Sequence, residues 1–153
     1  MGEVDRCADY LDEPGISVVA DARLAVASGD VHAMHDPTEG GVATGLMEMA
    51  TASNVGLEIF ADALSVSEET ERLCTLFDLD PFGAISSGAM LIGCAPASTT
   101  AIVAALADAG IPCAHIGKAK APDFGLHLRA ADGGLRDLPR FEVDEIVRLF
   151  ATD

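Results

Sequence analysis

Seven consecutive residues, His35-Asp36-Pro37-Thr38-Glu39-Gly40-Gly41, put acids, an imidazole and bare backbone into one short stretch. The stretch follows an apolar run at 31–35 and precedes one with helical spacing, Val42, Leu46 and Met49. Pro37 fixes its own φ and biases Asp36 away from helical geometry. The Thr38 hydroxyl can cap the helix that follows. Gly40 and Gly41 in a first helical turn each cost about 1 kcal/mol relative to Ala, a cost that makes sense where something approaches the backbone closely. Bare amides at a helix N-terminus attract anions. Asp36 and Glu39 would repel a phosphate directly, but they suit magnesium, which takes one or two carboxylates together with phosphate oxygens. The residues alone thus admit two readings: a metal–phosphate edge, or a capped turn with two packing glycines. His35 can orient or protonate a substrate near neutral pH, or simply finish a strand.

The elements that position this stretch follow from periodicity and punctuation. Residues 16–28 read as an amphipathic helix with Val19, Ala22 and Val26 on one face, stopped by Gly29. A strand is expected at 31–35, the helix after the motif at 42–53, with Met47 and Met49 as core filling, and a strand at 56–61. Ser65 and Glu68 have capping-box spacing ahead of a helix carrying Val66, Leu73 and Phe77, with Glu68, Glu69 and Glu71 on its wet face. The apolar run 89–95 reads as a buried strand. Ser98 caps a helix with an Ile102, Val103, Leu106 and Ala109 stripe, which Gly110 and Pro112 end. Strands at 113–119 and 125–130 follow, then a turn at 132–134. A last short helix from Phe141 to Phe150 has acids early and Arg148 late. Helices and strands alternate, so the fold class is α/β (α+β), a mixed β-sheet with helices packed on it.

Composition removes several functions. Nine Lys and Arg stand against 25 Asp and Glu, a formal charge of −16 that excludes a nucleic-acid binder and a polybasic membrane module. There is no run of 18 uncharged apolar residues and no signal-peptide pattern, so no membrane partner is expected. Of the four cysteines, Cys7, Cys74, Cys94 and Cys113, no two are spaced as a zinc pair. Cys94 and Cys113 read as small buried hydrophobes in a reducing, cytoplasmic setting. His32, His115 and His127 have no ligand partner at metal spacing, and Lys118 reads as a solvated edge lysine.

The run Met34 to Leu46 resembles the HDPTxGGxxxxL segment of the AIR synthase-related superfamily, in its hydrogenase expression/formation (HypE) branch. The resemblance continues through 52–59, Leu73-Cys74, Leu79-Asp80-Pro81, 86–91 and Ile116-Gly117-Lys118, covering roughly residues 14–138. It implies the superfamily's C-terminal domain fold at 14–153, with 1–13 as the remnant of an interdomain segment or an added start. It also implies ATP- and magnesium-dependent activation of an amide or carbamoyl-type oxygen by phosphorylation. Such a reaction depends on alignment and charge stabilisation. By resemblance Asp36 and His35 take catalytic positions, Thr38, Gly40, Gly41 and Gly88 border the nucleotide, and Asp36 with Glu39 faces the metal. The implied partners are an N-terminal ATP-binding domain, absent here, a second copy in a full-length homodimer, and a small-molecule or carbamoyl-type substrate. The chain alone is then expected to be inactive. Two departures stand out: Glu39 occupies a position where HypE-like sequences often carry Arg, and no cysteine lies near Asp153. Two alternatives remain. One is a non-catalytic binding or scaffold module that keeps the fold. The other is a thiamine-monophosphate kinase-like phosphotransferase, whose usual Ser-Asp-Gly motif is missing here.

Overall fold

The computed structural model describes residues 7–151. In chain order the main elements are α1 (Val19–Ser28), β1 (Val31–His35), α2 (Gly41–Ser53), β2 (Gly56–Phe60) and α3 (Glu68–Phe77). They are followed by β3 (Leu91–Cys94), α4 (Thr99–Asp108), β4 (Gly117–Lys120), β5 (Leu126–Arg129) and β6 (Leu135–Asp137). The expected class holds: this is a mixed α/β fold, with helices packed on sheet.

The strands form two sheets. β1 and β3 pair antiparallel, with His35 opposite Leu91. The second sheet has the order β4-β2-β5-β6, where β2 and β5 run parallel and the outer pairs antiparallel. Each sheet anchors a core. Ala43 and Leu46 of α2 pack with Ile59, Leu91, Leu128 and Leu138. Ala25 of α1 packs with Ile102 and Leu106 of α4. Burial of a side chain such as Ile59, Leu106 or Leu128 is worth about 1.5–3 kcal/mol.

Several local expectations are corrected. α1 buries Ala25, whereas Val19 and Val26 stay more than half exposed, because α4 meets the helix along a narrow strip. The α3 cap is Ser67, whose Oγ accepts from Thr70 N, and the helix starts two residues beyond where a Ser65 cap would place it. Ser98 makes no cap bond; its Oγ accepts from Asp30 N at 2.9 Å and so ties the start of α4 to β1. The strand expected at 113–119 is shorter and later, at 117–120. The final helix contracts to one 3-10 turn, Glu145–Leu149, started by Asp144 Oδ1 accepting from Ile146 N. Cys94 and Cys113 are half-buried, and all four cysteines are free.

Candidate functional site

The link from β1 to α2 makes a tight bend. Pro37 is among the most buried side chains, seated where a Cβ on Gly45 would lie 2.6 Å from its own Cβ. Asp36, Thr38 and Glu39 are exposed at the tip. Gly40 and Gly41 are buried with φ of +75° and +65°. A Cβ on Gly41 would sit 2.4 Å from the Phe82 carbonyl oxygen and 2.6 Å from that of Ala84. The bare backbone therefore admits the 82–84 segment against the helix start. Ser86 locks the bend from the other side: its Oγ donates to Pro37 O at 3.1 Å and its N–H to Thr38 O at 3.3 Å.

Thr38 does not cap α2. Gly40 is the capping residue, and Thr38 lies two positions before it, contributing its carbonyl to Gly41 N. The free amide is met from far along the chain, where Asp144 Oδ2 accepts from Gly40 N at 2.8 Å. A carboxylate at a helix N-terminus is the favourable partner for its positive end. The anion position at Gly40 is thus filled by the protein's own side chain. Against Gly40 lies Thr44 Oγ1, buried and without a hydrogen-bond partner.

The other sequence-predicted residues surround this bend. His35, at the end of β1, holds Glu48 of α2 through Nε2 at 2.7 Å. Gly88 is exposed at φ +92°, close to Ile16. The Ser86-Ser87-Gly88 turn and the 36–41 bend are therefore brought together. Asp36 and Glu39 make no hydrogen bond or ion pair among the described residues, so both carboxylates are free to take a cation. Among the described residues no group of three His, Cys, Asp or Glu could hold a metal ion. By donor type alone, two carboxylates are the part of a magnesium shell that a protein commonly supplies, with phosphate and water completing it. A direct amide cradle for phosphate at Gly40 does not fit, because Asp144 occupies it.

Sequence reasoning missed three participants. Asp144 lies 104 residues from Gly40, beyond any local signal. Glu48 had a faint one: it is the sole acid in α2. The third is a charge cluster on the second sheet. Glu58 of β2 is 6% exposed and is gripped by Lys120 of β4 at 2.6 Å and by Arg129 of β5. Hydrogen bonds from Lys120 and then Arg129 hold its carboxyl below the ordinary value, against the effect of burial. An acid interrupting Leu57, Ile59 and Phe60 was the visible hint. Elsewhere, burial pushes the Cys74 and Cys113 thiols up, so neither resembles an activated nucleophile.

The fold and this bend define a mixed-sheet α/β domain with an acidic loop before a glycine-led helix. The family model for the AIR synthase related protein, C-terminal domain, matches residues 8–128, and the chain belongs to that family. The carbamoyl dehydratase HypE of Bradyrhizobium diazoefficiens is 35% identical over 132 residues, which cover 84% of this chain and 38% of that protein. A putative hydrogenase expression/formation protein of Methanocaldococcus jannaschii is 40% identical over 62 residues, 40% of this chain and 18% of that protein. Among solved structures, HypE from E. coli superposes with a TM-score of 0.76 at 26% identity, covering 86% of this chain and 42% of that one. A HypE in complex with ATP superposes with a TM-score of 0.70 at 29% identity, covering 80% and 39%. The chain thus spans well under half the length of the HypE proteins it matches. No helix among the described residues is long and apolar enough to cross a membrane.

Proposed function

We propose that this chain is the C-terminal half of a cytoplasmic, HypE-like enzyme that uses ATP and magnesium to activate an amide or carbamoyl-type oxygen. The observation that carries the reading is the 36–41 bend, with two free carboxylates on a rigid, glycine-packed frame. It is supported by the family match and by the relative solved with ATP. When bound, ATP supplies the phosphoryl group and magnesium neutralises its charge. Asp36 and Glu39 hold the cation; Thr38 and Gly88 form the exposed rim that borders the nucleotide. Gly40 and Gly41 act from beneath, fixing the path of the loop. His35, oriented by Glu48, holds a proton at the edge of the site.

In this reading the ATP-binding half docks over the bend and carries the homodimer contact. The apolar side chains flanking it support that placement: Ile16 beside Gly88, Ile85 beside Ser86, and Val143 beside Asp144, each about half exposed. A second reading, a binding module that keeps the fold without the chemistry, is favoured by the filled amide at Gly40. One experiment separates them. Magnesium-dependent ATP turnover is measured for this chain alone and with the N-terminal half of a full-length HypE relative added. The enzymatic reading expects no turnover alone, turnover with the added half, and its loss in Asp36→Asn. Turnover by the isolated chain, or an Asp36→Asn variant as active as the parent in the mixture, overturns it. Failure to reconstitute, with a stable complex formed, favours the binding module.

A further inference from the structure

A second concave surface lies behind the bend, between the turn that follows α3 and the C-terminal segment. It is an open depression of about 630 Å³. Its walls include Phe82 and Phe141, and two arginines, Arg136 of β6 and Arg148, reach it from different elements. In a chain with nine cationic side chains against 25 acids, two guanidiniums come together at this depression beside three carboxylates, Asp78, Asp80 and Glu145.

The two arginines differ in how they are held. Arg148 Nη1 donates to Glu145 Oε2 at 2.6 Å, and the Glu145 side chain is only 9% exposed. That carboxylate also accepts from Asp80 N at 2.9 Å. The Arg148 head is therefore aimed, while its half-exposed guanidinium keeps further N–H donors free. Arg136 makes no hydrogen bond or ion pair among the described residues. Of the acids at the depression, Glu145 is committed as described, and Asp80 Oδ1 accepts from Phe82 N. Asp78, exposed at the end of α3, makes no side-chain hydrogen bond or ion pair among the described residues.

We propose that this depression is a binding site for a small carboxylate with an apolar body, held between the Arg136 and Arg148 forks. A guanidinium presents paired donors that match a planar carboxylate. The two phenylalanine walls suit a compact apolar body beside it. Asp78 and the chain's overall charge select against polyanions, so a single negative charge is accepted and a nucleoside triphosphate is not. The site lies outside the nucleotide reading of the bend. It is nevertheless mechanically joined to it, since Phe82 meets Gly41 through its carbonyl and Glu145 follows Asp144.

Benzoate, acetate, inorganic phosphate and ATP are titrated separately into the chain while backbone amide resonances are followed by NMR. Benzoate should shift the amides of 79–82 and 145–148 saturably, and acetate should bind the same place more weakly. Arg136→Gln, at an exposed position, should keep the thermal melt and weaken benzoate about tenfold, the scale of one lost charge-assisted contact. Asp78→Asn should tighten it. The proposal is overturned if benzoate does not saturate, if Arg136→Gln binds it equally, or if phosphate or ATP occupies these residues more tightly.

Discussion

At the mouth of α2, Asp144 is held by two backbone amides; on the four-stranded sheet, Glu58 is held by two cationic side chains from neighbouring strands. Both carboxylates knit distant pieces of chain together, yet they leave different surfaces behind. Around Glu58 one nearly buried carboxylate is gripped by two cations, and the acid has nothing left to offer a ligand. Around Asp144 the internal partner satisfies only the amide, and the acids at the tip, Asp36 and Glu39, remain unanswered. The region closed on itself serves the fold. The region with open valences is the one placed beside a turn and an apolar rim.

The contrast can be broken at its stiffest point first. Gly41→Ala places a side chain in a left-handed conformation and against two carbonyl oxygens. Strain and overpacking together should cost about 3 kcal/mol or more, read by urea denaturation. If the loss is negligible, the frame of the site is soft and the comparison fails.

Glu58→Gln comes next. It strands Lys120 and Arg129 without their counter-charge, and the melting temperature should fall clearly at neutral pH. The folded-state value is depressed below the ordinary 4.5. The carboxylate's stabilisation is therefore fully present above that pH and is lost as pH falls through the folded value. The parent should lose stability across that acidic window, and Glu58→Gln should show a flatter profile there. Parallel pH curves would place the cluster outside the fold's stability.

Asp144→Ala removes a cap and should cost about 1 kcal/mol in the same denaturation assay. Because the vacated amide is then free, weak sulfate binding should appear at the Gly40 resonance, whereas Glu58→Gln should create no anion site. The smallest effect belongs to Glu48→Gln, since Glu48 is mostly exposed. Stability should change by about 0.5 kcal/mol or less in the same denaturation assay.

These cases also show which parts of the molecule could be read beforehand. Elements marked by punctuation were legible: Gly110, at φ +77°, follows α4, and the Pro37-to-Gly41 run does separate a strand from a helix. Caps chosen by spacing alone went astray. Ser65 and Ser67 both lie near the start of α3, and only the backbone path decided between them. Ser98 spends its hydroxyl on Asp30, a partner 68 residues away. The 36–41 bend was visible because its residue types are unusual side by side, but what packs against its glycines was not. Their neighbours, the carbonyls of Phe82 and Ala84, arrive from another part of the chain. Val19 and Val26 misled for a related reason: periodicity marks an apolar stripe without saying how wide the opposing helix is.

The chain has two lysines, Lys118 and Lys120, and both lie in β4, the edge strand that pairs with β2. A lysine-specific endoprotease would therefore find its only cleavage points inside a single hydrogen-bonded ribbon. Its cutting rate becomes a clock for the peeling of that ribbon from the sheet, reporting local opening without any label.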